Sequence, residues 1–209
     1  MTGGKKVPVE VAASGPKVIA IAALQADRVM FTLGADVERL RWGLELARET
    51  RVKAGLDPYA IAYGVYVKAS CHTDINTARV LVRGGLTSHA RFSVMHGKAT
   101  GPLQHKDREV LENIHRSYNM RKHTRGDSEH ATAMTDDFVD RFAIVGSPDR
   151  VADRLLQLAD MGFDKVIISH SSRGVEKQIA DEGQHYIERE MVPLLRERLG
   201  QLRAPSPAG

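Results

Sequence analysis

With a single cysteine, Cys71, no internal disulfide can form. A packed core must hold the fold, and a reducing, cytoplasmic setting is the simplest expectation. Aromatic residues are scarce at 5%. No stripe interleaves them with basic side chains, which argues against nucleic-acid binding. Long apolar runs are also missing: no stretch approaches the roughly 18 residues of a membrane helix. The opening "MTGGKKVPV" carries two lysines but no apolar segment of signal-peptide length. Neither sign of charge dominates. The formal net charge of +4 suits an anionic ligand without demanding a polyanion.

What is present is enough apolar material, 42% of 209 residues, for one globular domain with a real core. The expected extent is residues 1–200, followed by a loose tail over 201–209. That length falls short of the roughly 250 residues typical of a complete α/β barrel.

Four strand-then-helix units are legible. "VPVEVAA" precedes "PKVIAIAALQ", with Pro16 suited to a first helical turn. "RVMFTLG" precedes a helix in which Val37, Leu40, Leu44 and Ala47 recur at helical spacing and Gly55 makes a natural stop. "AIAYGVYVKA" precedes a helical run over about 73–96, whose middle Gly84-Gly85 leaves open. The last unit runs in the opposite order into its strand. Ser147 is a good N-cap, Pro148 fits the first helical position and Asp149 suits the positive helix end. Gly162 then ends that helix before the buried-type strand "KVIISH" and a final helix over 175–199. Strands alternating with helices imply parallel pairing and right-handed crossovers.

Residues 97–145 interrupt this rhythm. The spacing predicts a helix over 106–118, a loose loop near 121–130 and a short helix over 135–142. Such an insertion commonly forms a lid or a substrate wall. Its histidines, His96, His105, His115, His123 and His130, lack the short spacing of metal ligands and read as exposed loop residues. Asp107 and Glu109, and Asp136 and Asp137, read as charged helix faces rather than acid–base pairs. Cys71-His72 has no companion pair to make a zinc or nucleophile site. No metal site is expected.

The seam Ser14-Gly15-Pro16-Lys17 is the first candidate site. Gly15 permits tight backbone geometry, the helix start offers N–H groups, and the Ser14 hydroxyl and Lys17 ammonium can meet an anion. A capped helix start with a solvated lysine accounts for the same residues. Thr32, in "FTLGAD", closes the second strand. Barrel sites gather at such C-terminal strand ends, although a hydroxyl satisfying local backbone is the alternative. Arg141, in "DRFAIVGSP", either reaches a pocket mouth or pairs with Asp137 or Asp140. "SHSSRG", residues 169–174, is polar and follows the last strand, as a plain loop would.

Three segments, "AASGPK", "HTDINTARVLVRGGLTSHARFSVMHG" and "RFAIVGSPDRVADRLLQLADMGFDKVIIS", together resemble the luciferase-like flavin-dependent oxidoreductases, and most of all their coenzyme F420-dependent branch. Members of that family are eight-stranded (β/α) barrels. The four units here resemble the second half of one, with a helical insertion before the last strand. The resemblance implies an oxidoreductase that transfers hydride between coenzyme F420, or alternatively FMN, and a small organic substrate. It makes Ser14, Gly15, Pro16 and Lys17 the cofactor-phosphate loop. It places Thr32 and Arg141 on the substrate or anion side. Ala35 stands where the family's sugar-phosphate-oxidising members carry a lysine, which argues against a sugar-phosphate substrate. The family's usual catalytic candidates lie in the half that this sequence does not match, so no catalytic acid or base is assigned. A natural half-barrel, a misassigned start and a fragment all fit the position of Met1.

Four parallel strands cannot close a barrel and leave two open edges. Hence a homo-oligomer, or a partner chain supplying the missing strands, is expected. A truncated, non-catalytic half-barrel is the rival to the enzyme.

Overall fold

The computed structural model describes residues 6–203. Its strands are β1 (Glu10–Ala13), β2 (Arg28–Phe31), β3 (Ala62–Cys71), β4 (Ile144–Gly146) and β5 (Lys165–Ser169). The helices of the β/α units are α1 (Pro16–Gln25), α2 (Val37–Lys53) and α3 (Ile75–Ser93). The insertion contributes α4 (His105–Ser117), α5 (Glu129–Thr132) and α6 (Asp136–Phe142). After it come α7 (Pro148–Asp160), α8 (Lys177–Tyr186) and α9 (Val192–Arg203), the last two joined by a π-helical turn, Ile187–Met191. The expected loose tail is therefore helical as far as Arg203, and its remainder, 204–209, lies outside the described residues. No described helix is long and apolar enough to cross a membrane.

Every strand pair is parallel. β1 pairs with β2, β2 with the first part of β3, and β5 with the middle of β3. Among the described residues β1 and β5 each have a single neighbour, as does the short β4 beside β5 on β3, so the sheet does not close and β1 and β5 remain open edges. The expected number of strands was one too small. β4 pairs only Ile144, Val145 and Gly146 with the last three residues of β3. A three-residue strand that follows a helix directly has no alternation of its own to reveal it; its pairing comes from a partner more than 70 positions earlier in the sequence.

The register separates two faces. Val11, Val29, Phe31, Tyr63, Val65, Val67, Val166 and Ile168 pack with α1, α2, α7 and α9 into the main core. Glu10, Arg28, Met30, Gly64, Tyr66, Lys68, Lys165 and Ser169 fall on the opposite, concave face by strand alternation. Glu10 on β1 accepts from Lys165 on β5 at 2.9 Å, and also pairs with Arg28, which reaches Asp164 at 3.0 Å. Two strands lie between β1 and β5, so the sheet curls enough for its edge residues to meet at its lower end.

The insertion has a core of its own. Val82, Leu86, Ala90 and Val94 on and just beyond α3 meet Val110, Leu111, Ile114, Phe138, Val139 and Phe142. The expected helices over 106–118 and 135–142 are α4 and α6. The loop near 121–130 is not loose. The Gly126 N–H donates to the Arg173 carbonyl and the Arg173 N–H to the Thr124 carbonyl, both at 3.0 Å. Gly84 explains how that loop comes so close. A Cβ there would lie 2.6 Å from the Thr124 oxygen and nearer still to the Arg125 carbonyl carbon and the Gly126 nitrogen. α3 runs unbroken through both glycines, as the expected helical run does, and both serve close contact.

Alanine at position 84 gains about 1 kcal/mol of helix propensity over glycine. The clash with fixed backbone reverses that sign, and Gly84→Ala should destabilise the protein by about 2 kcal/mol. Thermal denaturation checks it. A variant as stable as the parent would show that the loop yields without cost.

Candidate functional site

β1 ends at Ala13 and α1 starts at Pro16, where the missing N–H costs nothing. Gly15 occupies the N-cap position with φ −143° and ψ 162°, extended backbone open to any residue. The backbone makes no tight turn here for the glycine to permit. Nothing lies within 4 Å of the position its Cβ would take. The glycine leaves space instead. No side chain caps α1, whereas Asp36, Asp74 and Ser147 cap α2, α3 and α7. The capped reading of this seam is not what the structure shows, and the first-turn N–H groups of α1 remain for an outside acceptor.

The seam opens on a cavity of about 650 Å³. Ser14, Gly15, Pro16, Lys17 and Val18 form one wall, and Phe92, Ser93, Met95, His96, Lys98 and Thr100 the other. The lining holds two lysines and a histidine but no carboxylate, so its field favours an anion. Val18, Phe92 and Met95 leave 41%, 41% and 42% of their surface exposed. Three adjacent exposed apolar side chains suit a flat, partly apolar ligand.

Arg39, on α2, holds the far wall. It is 1% exposed. Its Nη1 donates to the Thr100 and Pro102 carbonyls at 3.0 and 3.1 Å, Nη2 to the Ser93 hydroxyl at 3.2 Å, and Nε to the Leu33 carbonyl at 3.3 Å. Burial lowers its pKa to about 10, which leaves it charged at neutral pH. The guanidinium also stands 5.7 Å over the Phe142 ring.

Two predicted residues lie elsewhere. Thr32 is buried beyond the end of β2, and its N–H donates to the Ala13 carbonyl at 2.9 Å. It abuts the seam but does not line the cavity. Arg141 sits in the last turn of α6 and does not line it either. Its main partner is the buried Asp107 of α4, which neither sequence reading named, with Asp137 at 3.6 Å. Asp140 is taken by Arg79 at 2.7 Å. Burial raises the Asp107 pKa and Arg141 opposes that rise. The Arg141 Nη1 is buried without a hydrogen-bond partner.

Other sequence expectations divide. Ser172 of "SHSSRG" is a structural tether: its hydroxyl donates to the Leu81 carbonyl at 2.7 Å and accepts from the Gly85 N–H at 2.9 Å. The insertion histidines are not all exposed. His130 is fully buried and stacks on Tyr118 at 4.4 Å between centroids. Cys71 is buried and its thiol is pushed up to about 12, chiefly by that burial, so it is a poor nucleophile. Sequence reasoning missed Arg39, Phe92, Met95 and Lys98. The exposed apolar pair Phe92 and Met95 at the end of a helix was the one signal it could have used.

The chain belongs to the luciferase-like monooxygenase family, whose model matches residues 1–165. A 5,10-methylenetetrahydromethanopterin reductase of Archaeoglobus fulgidus is 27% identical over 195 residues, covering 91% of this chain and 55% of the relative. The coenzyme F420-dependent tetrahydromethanopterin reductase of Methanopyrus kandleri has a similar fold, with a TM-score of 0.60 at 20% identity over 90% of this chain and 51% of that one. An F420-dependent secondary alcohol dehydrogenase, solved with an F420–acetone adduct, gives 0.62 at 15% identity over 92% and 50%. The chain thus spans about half the length of the relatives it matches, and its sheet matches half of their barrels.

Proposed function

We propose that this chain forms the cofactor-phosphate half of an oxidoreductase that uses coenzyme F420, or FMN in its place, to move hydride to or from a small organic substrate. One observation carries the reading. The uncapped start of α1, with Ser14 and Lys17, faces a cavity that holds cations and no carboxylate. The residues fit the group. The empty space over Gly15 admits a phosphate oxygen, and Val18, Phe92 and Met95 offer apolar surface to a ring system. When bound, the cofactor supplies the redox chemistry. The chain's part is to hold the phosphate through the Ser14 hydroxyl, the α1 N–H groups and Lys17, while Arg39 fixes the opposite wall. Arg141, with its unpartnered Nη1, and Thr32 are the substrate-side residues of this reading.

Gly15→Ala separates binding from folding. The added methyl meets no atom and no forbidden φ, so the variant should fold and lose only the N-cap preference of glycine over alanine, about 0.5 kcal/mol. It occupies the phosphate space, so affinity for F420 and FMN should fall about tenfold, or 1.4 kcal/mol. Fluorescence titration of either cofactor measures this. Absence of binding in the folded parent protein would refute the reading.

The open edges favour a companion reading. Four more β/α units, from a second copy or a partner chain, would cover β1 and β5 and complete the barrel. In that case the chain alone binds cofactor without turnover. Light scattering tests self-association, and a stable monomer that turns over substrate would exclude this reading.

A further inference from the structure

A second polar cluster lies apart from the cavity lining. Lys68 stands on the concave face of β3 and donates to the Ser169 hydroxyl of β5 at 2.6 Å. α3 closes over it from above. Gly85 lets the helix backbone approach: a Cβ there would meet the lysine Cε at 3.2 Å and Nζ at 3.3 Å. One turn later, His89 carries a buried Nδ1 without a hydrogen-bond partner.

The electrostatics are unbalanced. The groups facing Lys68 are the Ser169 hydroxyl from β5 and, from α3, the Gly85 backbone and the His89 imidazole. No carboxylate is among them, and among the described residues Lys68 joins no ion pair. Burial alone lowers the lysine pKa. Burial, and then Lys68, lowers that of His89 to about 4, so the imidazole is neutral at pH 7. A half-buried ammonium whose hydrogen-bonded protein partner is one neutral hydroxyl keeps two N–H donors free for an anion. One turn along α3 from the Gly85 contact, within reach of the Lys68 charge, the unpartnered His89 Nδ1 adds polar capacity that the described residues do not use.

We propose that Lys68, Ser169 and His89 form a binding site for one carboxylate group of a small organic acid, on the concave face of the sheet. The charge balance selects the class. The cluster offers one positive charge and two neutral polar groups, which match a monoanion; phosphate, near −2, calls for the forked or multiple cations this site lacks. The site stands on its own residues and does not depend on the cofactor reading.

The test is an NMR titration of the full chain that follows the Lys68 13Cε resonance, assigned by its loss in Lys68→Arg. Acetate should raise the titration midpoint of Lys68 by about one unit. In the variants binding is read instead from acetate-induced shifts of the His89 ring resonances; there Lys68→Met and Ser169→Ala should each weaken acetate binding about tenfold, the same size of effect as one lost charge-assisted contact. Lys68→Arg should retain most of it, and Lys53→Met, at the exposed end of α2, all of it. A Lys68 midpoint that saturating acetate does not move overturns the proposal, even if the Met variant fails to fold. Tighter binding of inorganic phosphate than of acetate at the same resonance overturns the ligand class.

Discussion

Arg39→Met should cost about 3–5 kcal/mol of stability and remove cofactor binding with it. The methionine fills similar volume with an unbranched apolar chain but donates nothing. The Leu33, Thr100 and Pro102 carbonyls and the Ser93 hydroxyl then lose a buried donor together. They cannot all turn to water, because Arg39 is 1% exposed. Two of these acceptors, on Thr100 and Pro102, belong to the turn that ends the cavity wall. The turn is further fixed by Gly101, at φ +80°, whose missing side chain leaves room for the Trp42 ring; a Cβ would meet it at 2.8 Å. Trp42 is the chain's single tryptophan, so its fluorescence reports the turn directly during urea denaturation. Arg39→Lys should fall between, since an ammonium cannot span four acceptors in a fork. A loss below about 1 kcal/mol for the methionine variant would mean that the turn holds without its clamp.

Arg39 also shows where sequence reading ends. In "DVERLRWGLELARETR" it reads as polar punctuation between apolar residues, on a helix whose core positions Leu40, Leu44 and Ala47 were legible from spacing alone. Its burial is made by a turn some 60 residues away, which no local pattern encodes. What was legible was local in the same sense. The Ser147 cap and Pro148 at the first turn of α7, and Gly55 and Gly162 in the left-handed region after α2 and α7, depend on their immediate neighbours. Ser14, Gly15, Pro16 and Lys17 were grouped because they are consecutive, and they share one cavity. The opposite wall comes from the far end of α3 and was not foreseen. Arg141 went to Asp107 for the same reason: the competing carboxylate lies 34 positions away on another helix. Gly84 and Gly85 leave the helix open in sequence because composition registers a missing side chain only as lost propensity. The structure uses both for close approach, one to the insertion loop and one to Lys68.

That second approach sets up a pH dependence. The His89 ring has its pKa lowered from 6.5 to about 4 in the folded protein, first by burial and then by the Lys68 charge. In the unfolded chain the imidazole titrates near its ordinary value of about 6.5. Above that value both states are neutral and His89 costs nothing. Between the two values the unfolded state binds a proton that the native state refuses, so stability falls as the pH falls. Below about 4 both states are protonated and the full loss, about 3 kcal/mol, has accumulated. Carboxylates held low by cationic partners, such as Glu10 by Lys165 and Arg28, and Asp137 by Lys106, add acid sensitivity of their own. The comparison therefore needs His89→Gln, which is neutral throughout while those pairs and the Lys68 charge remain. Urea denaturation of the two proteins from pH 7 to pH 4 should show the parent losing about 3 kcal/mol more than the variant, most of it below pH 6. Parallel curves would mean that the imidazole takes up its proton inside the fold, and with it that the space between α3 and β3 is wet enough to screen Lys68.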